Sequence, residues 1–349
     1  MLVFMKICIF YTSPKLGDLI LQLPFIKAIS EKYNSKVSIC INKHLGFKNI
    51  LIKQKYIDDV IENYFRRGSS FVTDIYNLSQ NLKKKNFDTA FILEKTKGPA
   101  LASILAGINK IYGFGIGSQR FFVNKKIRLK KNDLRYNYTE QSIKFCNQLD
   151  IKYNFKDKFL VLDKNEISSV FNKYKNLPKP WVCFGVDSTE KNRIWPQENF
   201  SKLADELIRS NFAKTIFVIH AQNYEDYFNN ILLKSKNKKN FIDCKNLTRS
   251  EIIQLIYLCN YFVGIDSGPS CVAGAFQKKT FCIIGATDKT LPRFSSMHKI
   301  ISNSYNKSRE IGIKRCGDNF VQNNNEVKLI SVEKILNQIK SHIKNEDYI

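Results

Sequence analysis

Apolar and polar positions fall in blocks along this chain rather than alternating residue by residue. Short apolar runs of strand length recur at Phe4–Tyr11, Val37–Ile41, Ile57–Ile61, Phe87–Leu93 and Lys110–Phe114. They resume at Trp181–Val186, Thr215–Ile219, Asn240–Asp243, Tyr261–Ile265 and Thr280–Ile284. Continuous apolar runs suit strands buried on both faces of a parallel sheet. Helical patterns separate them: Leu19, Ile20, Leu23, Ile26 and Ile29 form one apolar face, and Gln197–Ser210, Asn223–Lys234 and Arg249–Cys259 are further helices. Strands that alternate with helices predict an α/β fold with parallel, doubly wound sheets.

The alternation comes in two series, and 349 residues suit two cores better than one. The break is placed at Leu177-Pro178-Lys179-Pro180. Residues 1–155 form a first Rossmann-like domain and 181–330 a second. A linker region, 156–180, holds a short strand, Phe159–Leu162, and a helix opened by Asp163 and Glu166 in capping-box spacing. Residues 331–349 carry a last helix, Val332–Ile343, for which packing back on the first domain is one option. The polar stretch Asn319–Glu326 reads as a surface loop.

Candidate chemistry sits where strands turn into helices, since open α/β sheets bind ligands at the carboxyl ends of their strands. Tyr261–Ile265 stops at Asp266-Ser267-Gly268-Pro269. A helix with the small residues Ala273, Gly274 and Ala275 follows, then the strand Thr280–Ile284 and Gly285-Ala286-Thr287-Asp288. The backbone N–H groups from Ser267 to Ser270 would open that helix and suit a diphosphate, with Pro269 contributing none. A second loop, Asp187–Pro196, holds Lys191 and Arg193, and a guanidinium there suits a diphosphate leaving group. A third, Pro14-Lys15-Leu16-Gly17-Asp18, places Asp18 as a general base beside Gly17, which permits close substrate approach. Each loop also has a plain reading: Asp18 and Asp266 as helix caps, Trp195 as a core anchor.

Gly113-x-Gly115-x-Gly117 lacks the GxGxxG spacing of a dinucleotide fingerprint and lies far from the first strand, so it reads as a flexible turn. No Walker A sequence and no metal-binding spacing appears, and the four histidines are dispersed. The net charge of +25 comes from scattered lysines rather than one basic face, so no nucleic-acid partner is expected. The nine cysteines form no CxxC pair, and several, such as Cys8, Cys40, Cys183 and Cys282, sit in apolar runs. With Lys6 interrupting the apolar N-terminus, the expectation is a cytoplasmic chain with reduced thiols, peripheral at most to the inner face of the membrane.

Taken together, the three loops resemble the heptosyltransferase family, glycosyltransferase family 9. The carrying motifs are Gly17-Asp18-Leu19-Ile20 with Leu23-Pro24, then Arg193-Ile194-Trp195-Pro196 with Phe200 and Leu203-Ala204. The last is Asp266-Ser267-Gly268-Pro269-Ser270-Cys271 with Ala273-Gly274-Ala275 and Gly285-Ala286-Thr287-Asp288. The resemblance implies a GT-B fold, two Rossmann-like domains facing a central cleft, and metal-independent inverting glycosyl transfer without a cofactor. It implies Asp18 as the base, and Gly17, Lys191, Arg193, Asp266, Ser267, Gly268, Pro269 and Ser270 around substrate and diphosphate. Glu225 is a loose candidate for the ribose. A nucleotide-sugar donor (ADP-heptose by family default) and an anionic lipopolysaccharide-core or other glycan acceptor follow from the same resemblance. Arg193 stands where the family has lysine, Cys271 where it has histidine, and Ala286 where it has proline. A nucleotide-sugar epimerase on this fold and a non-catalytic sugar-binding homologue are the alternatives. The first lacks a convincing acid/base set, and the second is opposed by the presence of Asp18.

Overall fold

The computed structural model describes residues 5–66, 70–124, 127–130, 137–221, 225–285, 293–302 and 326–343. The chain divides into two compact units, Met1–Val161 and Leu162–Ile349. Each is built on one sheet.

In the first unit the strands are β1 (Ile7–Tyr11), β2 (Val37–Asn42), β3 (Ile57–Asn63), β4 (Thr89–Ile92) and β5 (Lys110–Gly113). Their order is β3-β2-β1-β4-β5, and each neighbouring pair is parallel. The described helices are α1 (Leu16–Ile20), α2 (Leu23–Lys32), α3 (Lys48–Leu51), α4 (Ser70–Lys85), α5 (Gly98–Leu105) and α6 (Tyr138–Gln148). Every residue of β1, β2 and β4 is buried, as the unbroken apolar runs demand. On one face Cys8, Phe10, Ile92, Leu78 and Leu82 share a core.

The second unit opens with α7 (Lys164–Tyr174), then β6 (Trp181–Gly185), α8 (Gln197–Arg209), β7 (Thr215–Ile219), α9 (Glu225–Lys234) and β8 (Phe241–Asp243). It continues with α10 (Arg249–Leu258), β9 (Tyr261–Ile265), α11 (Gly268–Ala275), β10 (Thr280–Ile284), β11 (Met297–Ile301) and α12 (Val332–His342). The sheet runs β11-β10-β9-β6-β7-β8, again parallel throughout. On α8, Phe200, Leu203, Ala204 and Leu207 are buried, the helical spacing of a core-facing stripe.

In both sheets the strand order reverses once, between β1 and β4 and between β6 and β9. Those reversals are the topological switch points at which loops part to opposite faces. At the second one, Gly185 pairs with Gly264. A Cβ on Gly264 would come within 2.6 Å of the Gly185 carbonyl oxygen, so the two strands approach where neither carries a side chain.

Four sequence expectations change. The last helix packs on α8, β10 and β11 inside the second unit, where Ile335, Leu336 and Ile339 join the core around Trp195. That apolar stripe is spent within the second unit. The stretch taken as a linker contains α7, whose Val170 and Tyr174 are buried, with Tyr174 edge-on to Phe217 at 5.0 Å. Its capping box between Asp163 and Glu166 is present, while the division falls at Val161/Leu162 rather than at the prolines. Phe159–Leu162 is not a strand. The Tyr56 hydroxyl donates to Phe159 O at 2.9 Å, and Val161 N–H donates to Gln54 Oε1 at 2.9 Å. Side chains thus take the place of a ladder partner. The strand β11 was not anticipated, because its polar His298 and Lys299 interrupt the apolar run.

Candidate functional site

At the first switch point β1 ends at Tyr11 and runs on through Thr12 toward α1. Asp18 is not a cap: α1 is capped by Lys15, without a side-chain hydrogen bond, and Asp18 lies in the first helical turn. A carboxylate there is favoured by the unpaired N–H groups of the turn. Gly17 and Asp18 are half-buried, whereas Leu19 and Ile20 beside them are core residues. The Tyr11 ring is fully buried, and burial pushes its hydroxyl pKa up, with the charges of Asp18 and Glu94 adding to the shift.

Glu94 belongs to this cluster and was missed by the sequence reading. It follows β4 and is 3% exposed. Its Oε1 accepts from Thr12 N–H at 2.9 Å and from the Thr12 hydroxyl at 2.5 Å. Burial raises its carboxyl pKa, and the Thr12 hydrogen bonds oppose that shift. Beneath it, Gln119 Nε2 donates to the carbonyls of Glu94 and Thr96, both at 2.8 Å, while Gln119 Oε1 accepts from Gly115 N–H at 2.8 Å. Gly115, at φ +66°, therefore sits in a pinned turn, not the flexible one expected from its glycines.

At the second switch point the loop after β6 is anchored by Trp195. Its ring is buried, packs edge-on to Phe200 at 4.8 Å and donates from Nε1 to Ile330 O at 2.9 Å. The anchor fixes the short turn Lys191–Arg193 just before it. Lys191 is exposed. Arg193 Nη2 pairs with Glu190 at 2.8 Å, and Nη1 reaches the Asp266 carbonyl at 3.5 Å. Arg193 Nε is buried with no hydrogen-bond partner among the described residues, and the buried Ser267 hydroxyl has no acceptor among them. The loops after β6 and β9 thus meet, with unspent donor capacity on both.

The start of α11 differs in detail from expectation. Ser270 is fully buried and folds back: its hydroxyl accepts from Ser267 N–H at 3.1 Å and donates to Ser267 O at 2.7 Å. That leaves the Gly268 N–H open in the first turn, with Pro269 after it and the Ser270 N–H turned to the Ser267 side chain in a capping box. Asp266 does not face outward. Its carboxylate is paired with Arg293 Nη2, at 3.1 Å to Oδ1 and 2.9 Å to Oδ2. Cys282 lies 4.0 Å from the same Oδ1, its thiol pKa raised by burial and then by the Asp266 charge. Arg293 was also missed.

Farther along the same edge, Asp187 accepts from Ala221 N–H at 2.9 Å, and burial raises its carboxyl pKa. His220 is a satisfied interior residue, bonded to Asp243 at 2.8 Å and to Ala221 O at 3.0 Å. Glu225 opens α9, but its side chain lies outside the described residues, as do Ala286, Thr287 and Asp288. Among the described residues no group of three or more His, Cys, Asp or Glu is placed to hold a metal, and no helix is long and apolar enough to cross a membrane. A cavity of about 1040 Å³ opens at the amino ends of β1 to β3, lined by Lys6, Lys36, Lys55 and Lys84 among others. It lies at the opposite edge of the first sheet from Asp18.

The sequence profile of glycosyltransferase family 9 (heptosyltransferase) matches residues 75–319. Lipopolysaccharide heptosyltransferase 2 of Escherichia coli K12 is 21% identical over 311 residues, covering 84% of this chain and 88% of that protein. The glycosyl transferase family 9 structure from Veillonella parvula superimposes with a TM-score of 0.79 at 16% identity, covering 97% of both chains. The E. coli ADP-heptose lps heptosyltransferase II structure does so with a TM-score of 0.74 at 17% identity, covering 97% of this chain and 98% of that one. Both neighbours share the two-sheet architecture, the GT-B fold.

Proposed function

Given that the chain belongs to glycosyltransferase family 9 and is a glycosyltransferase, we propose that it moves a heptose from ADP-heptose to a lipopolysaccharide-core or related glycan acceptor. The relative from E. coli K12 is a lipopolysaccharide heptosyltransferase, and one structural neighbour is the E. coli ADP-heptose lps heptosyltransferase II. In this reading the second unit binds the nucleotide sugar. Arg193 donates to the diphosphate, with Lys191 adding charge from the exposed side. The Gly268 N–H and the Ser267 hydroxyl complete the cradle, Pro269 holds the turn, and Ser270 locks it from within. Asp266 acts from below rather than as a ligand. Glu225 remains the candidate for the ribose.

In the same reading Asp18 takes the proton of the acceptor hydroxyl as its oxygen bonds to the anomeric carbon. The bond from that carbon to the diphosphate oxygen breaks, and the nucleoside diphosphate leaves. A single displacement inverts the anomeric centre. The leaving charge goes to Arg193 and the Gly268 N–H, so no metal is assigned a step. The observation that carries the reading is the meeting of Arg193 with the opening turn of α11 at the β6/β9 reversal. Asp18 lies outside the residues matched by the family profile, and its assignment rests on Gly17-Asp18 in the opening turn of α1.

Asp18→Asn tests it. Transfer from ADP-heptose to a truncated core acceptor should fall by roughly 10²–10⁴-fold, while ADP affinity stays within about threefold. Persistent transfer removes Asp18 from its role. ADP, UDP, GDP and CDP compared by thermal shift would check the base, with ADP alone stabilising. A selective shift with another diphosphate would move the sugar donor away from the family default, a change to which Arg193 and Cys271 would be the first contributors.

A further inference from the structure

An anion site that begins with an aspartate has an electrostatic problem. A carboxylate at Asp266, one residue before the turn that opens α11, would repel the diphosphate that the turn is read to hold. The structure answers it with a residue far along the chain. Arg293 is buried, with 4% of its side chain exposed against 7% for Asp266, and one Nη2 lies within hydrogen-bond reach of both carboxylate oxygens. Burial works against the guanidinium's charge, and Asp266, through its charge and its hydrogen bond and joined by Cys271 and Cys282, more than offsets that. The Asp266 carbonyl meanwhile faces Arg193. Asp266 is therefore the joint between two arginines, with its carboxylate on the buried one and its backbone toward the one at the surface.

We propose that Arg293 is a positioning residue of the diphosphate site. It neutralises Asp266 from beneath, so that the turn presents the Gly268 N–H and Arg193 to the ligand without a net negative charge behind them. Arg293 offsets the charge of Asp266 and Arg193 that of Glu190, so that Lys191 adds to a neutral set. Without Arg293 the Asp266 carboxylate loses its buried counter-charge, close to where a nucleoside diphosphate would place its own negative charge. This inference rests on the sugar-nucleotide reading above. The effect should scale with phosphate charge: ADP feels it strongly and adenosine hardly at all.

Calorimetric titration of the full chain with ADP and with adenosine tests this in wild type, Arg293→Met, Asp266→Asn and the double variant. Arg293→Met should bind ADP about tenfold or more weakly, with adenosine changed less than about twofold. Asp266→Asn, which keeps the cation, should bind ADP at least as tightly as wild type. The double variant, neutral at both positions, should return to within about threefold of wild type. Should Arg293→Met not fold, Asp266→Asn and the double variant still decide the matter. Asp266→Asn binding ADP about tenfold more weakly than wild type overturns the proposal. So does equal loss of ADP and adenosine in Arg293→Met, or a double variant as weak as that single one. Wild type failing to bind ADP at all would instead sink the sugar-nucleotide reading, and this inference with it.

Discussion

The two switch points share a topology and differ in how they hold a buried carboxylate. At β1/β4, Glu94 is held by the N–H and hydroxyl of Thr12. At β6/β9, Asp266 is held by the guanidinium of Arg293. Neutral donors leave a buried acid reluctant to ionise, and a buried cation keeps its partner charged at the cost of a pair that cannot be broken singly. Under the proposed function the difference fits a division of labour, with proton handling on the first sheet and anion handling on the second. It also shows that the same backbone plan can be given opposite electrostatics by one residue brought from elsewhere in the chain.

Four measurements would break or sharpen this contrast. Asp266→Ala takes the paired carboxylate away from a buried guanidinium, and urea unfolding should show a loss of about 3–5 kcal/mol. A loss under about 1 kcal/mol would mean that Arg293 finds other partners and that the two edges are not so different. Gln119→Ala removes three bonds beneath Glu94 and should cost about 1–3 kcal/mol in the same assay, because the carbonyls of Glu94 and Thr96 lose their shared donor. Thr12→Val, losing the hydroxyl donor while keeping the N–H, should cost about 1–2 kcal/mol. An unchanged unfolding midpoint would show water replacing the hydroxyl.

Glu94→Gln should have the smallest effect, less than about 1 kcal/mol at pH 7, since an amide oxygen can still accept from Thr12. Its pH dependence is the informative part. The folded-state pKa of Glu94 is raised from 4.5, so the folded protein holds that proton more tightly than the unfolded chain. Stability from this group is complete below the unfolded value and is lost as pH rises through the folded one. Relative to wild type, Glu94→Gln should therefore gain stability as pH rises from about 4 to 7. A gap that stays constant across that range would show that Glu94 titrates normally.

How much of this was legible beforehand depended on whether the physics was local. Interior parallel strands are apolar on both faces, so Thr215–Ile219, Tyr261–Ile265 and Thr280–Ile284 could be bounded from the sequence to the residue. The edge strand β11 could not, because an edge tolerates His298 and Lys299 and the apolar run is broken. The loops around Asp18, Arg193 and Ser267 were readable as strand-to-helix turns. Glu94 carried a faint signal, a carboxylate ending the run Phe91-Ile92-Leu93 at the same kind of strand end as Asp18. Arg293 carried none, since it meets Asp266 across a separation of 27 residues. Nor does composition tell that the Ser270 hydroxyl turns inward to Ser267, a choice made by the packing of α11 against the sheet.

The paired glycines at 185 and 264 make the second sheet's switch point intolerant in an unusual way. Most sites respond to mutation by degree, as neighbouring side chains shuffle to accept an extra methyl. Here the first obstacle to a Cβ on residue 264 is the backbone of β6 itself, so the smallest possible replacement, alanine, must displace a whole strand. Divergence at this edge therefore has nowhere to go but into the loops hung from it. Arg193 and Cys271, where the quoted motifs depart from those of the family they resemble, lie in such a loop and in the helix beyond it. New substrate preferences, on this fold, would be written into side chains attached to a spacing that itself cannot drift.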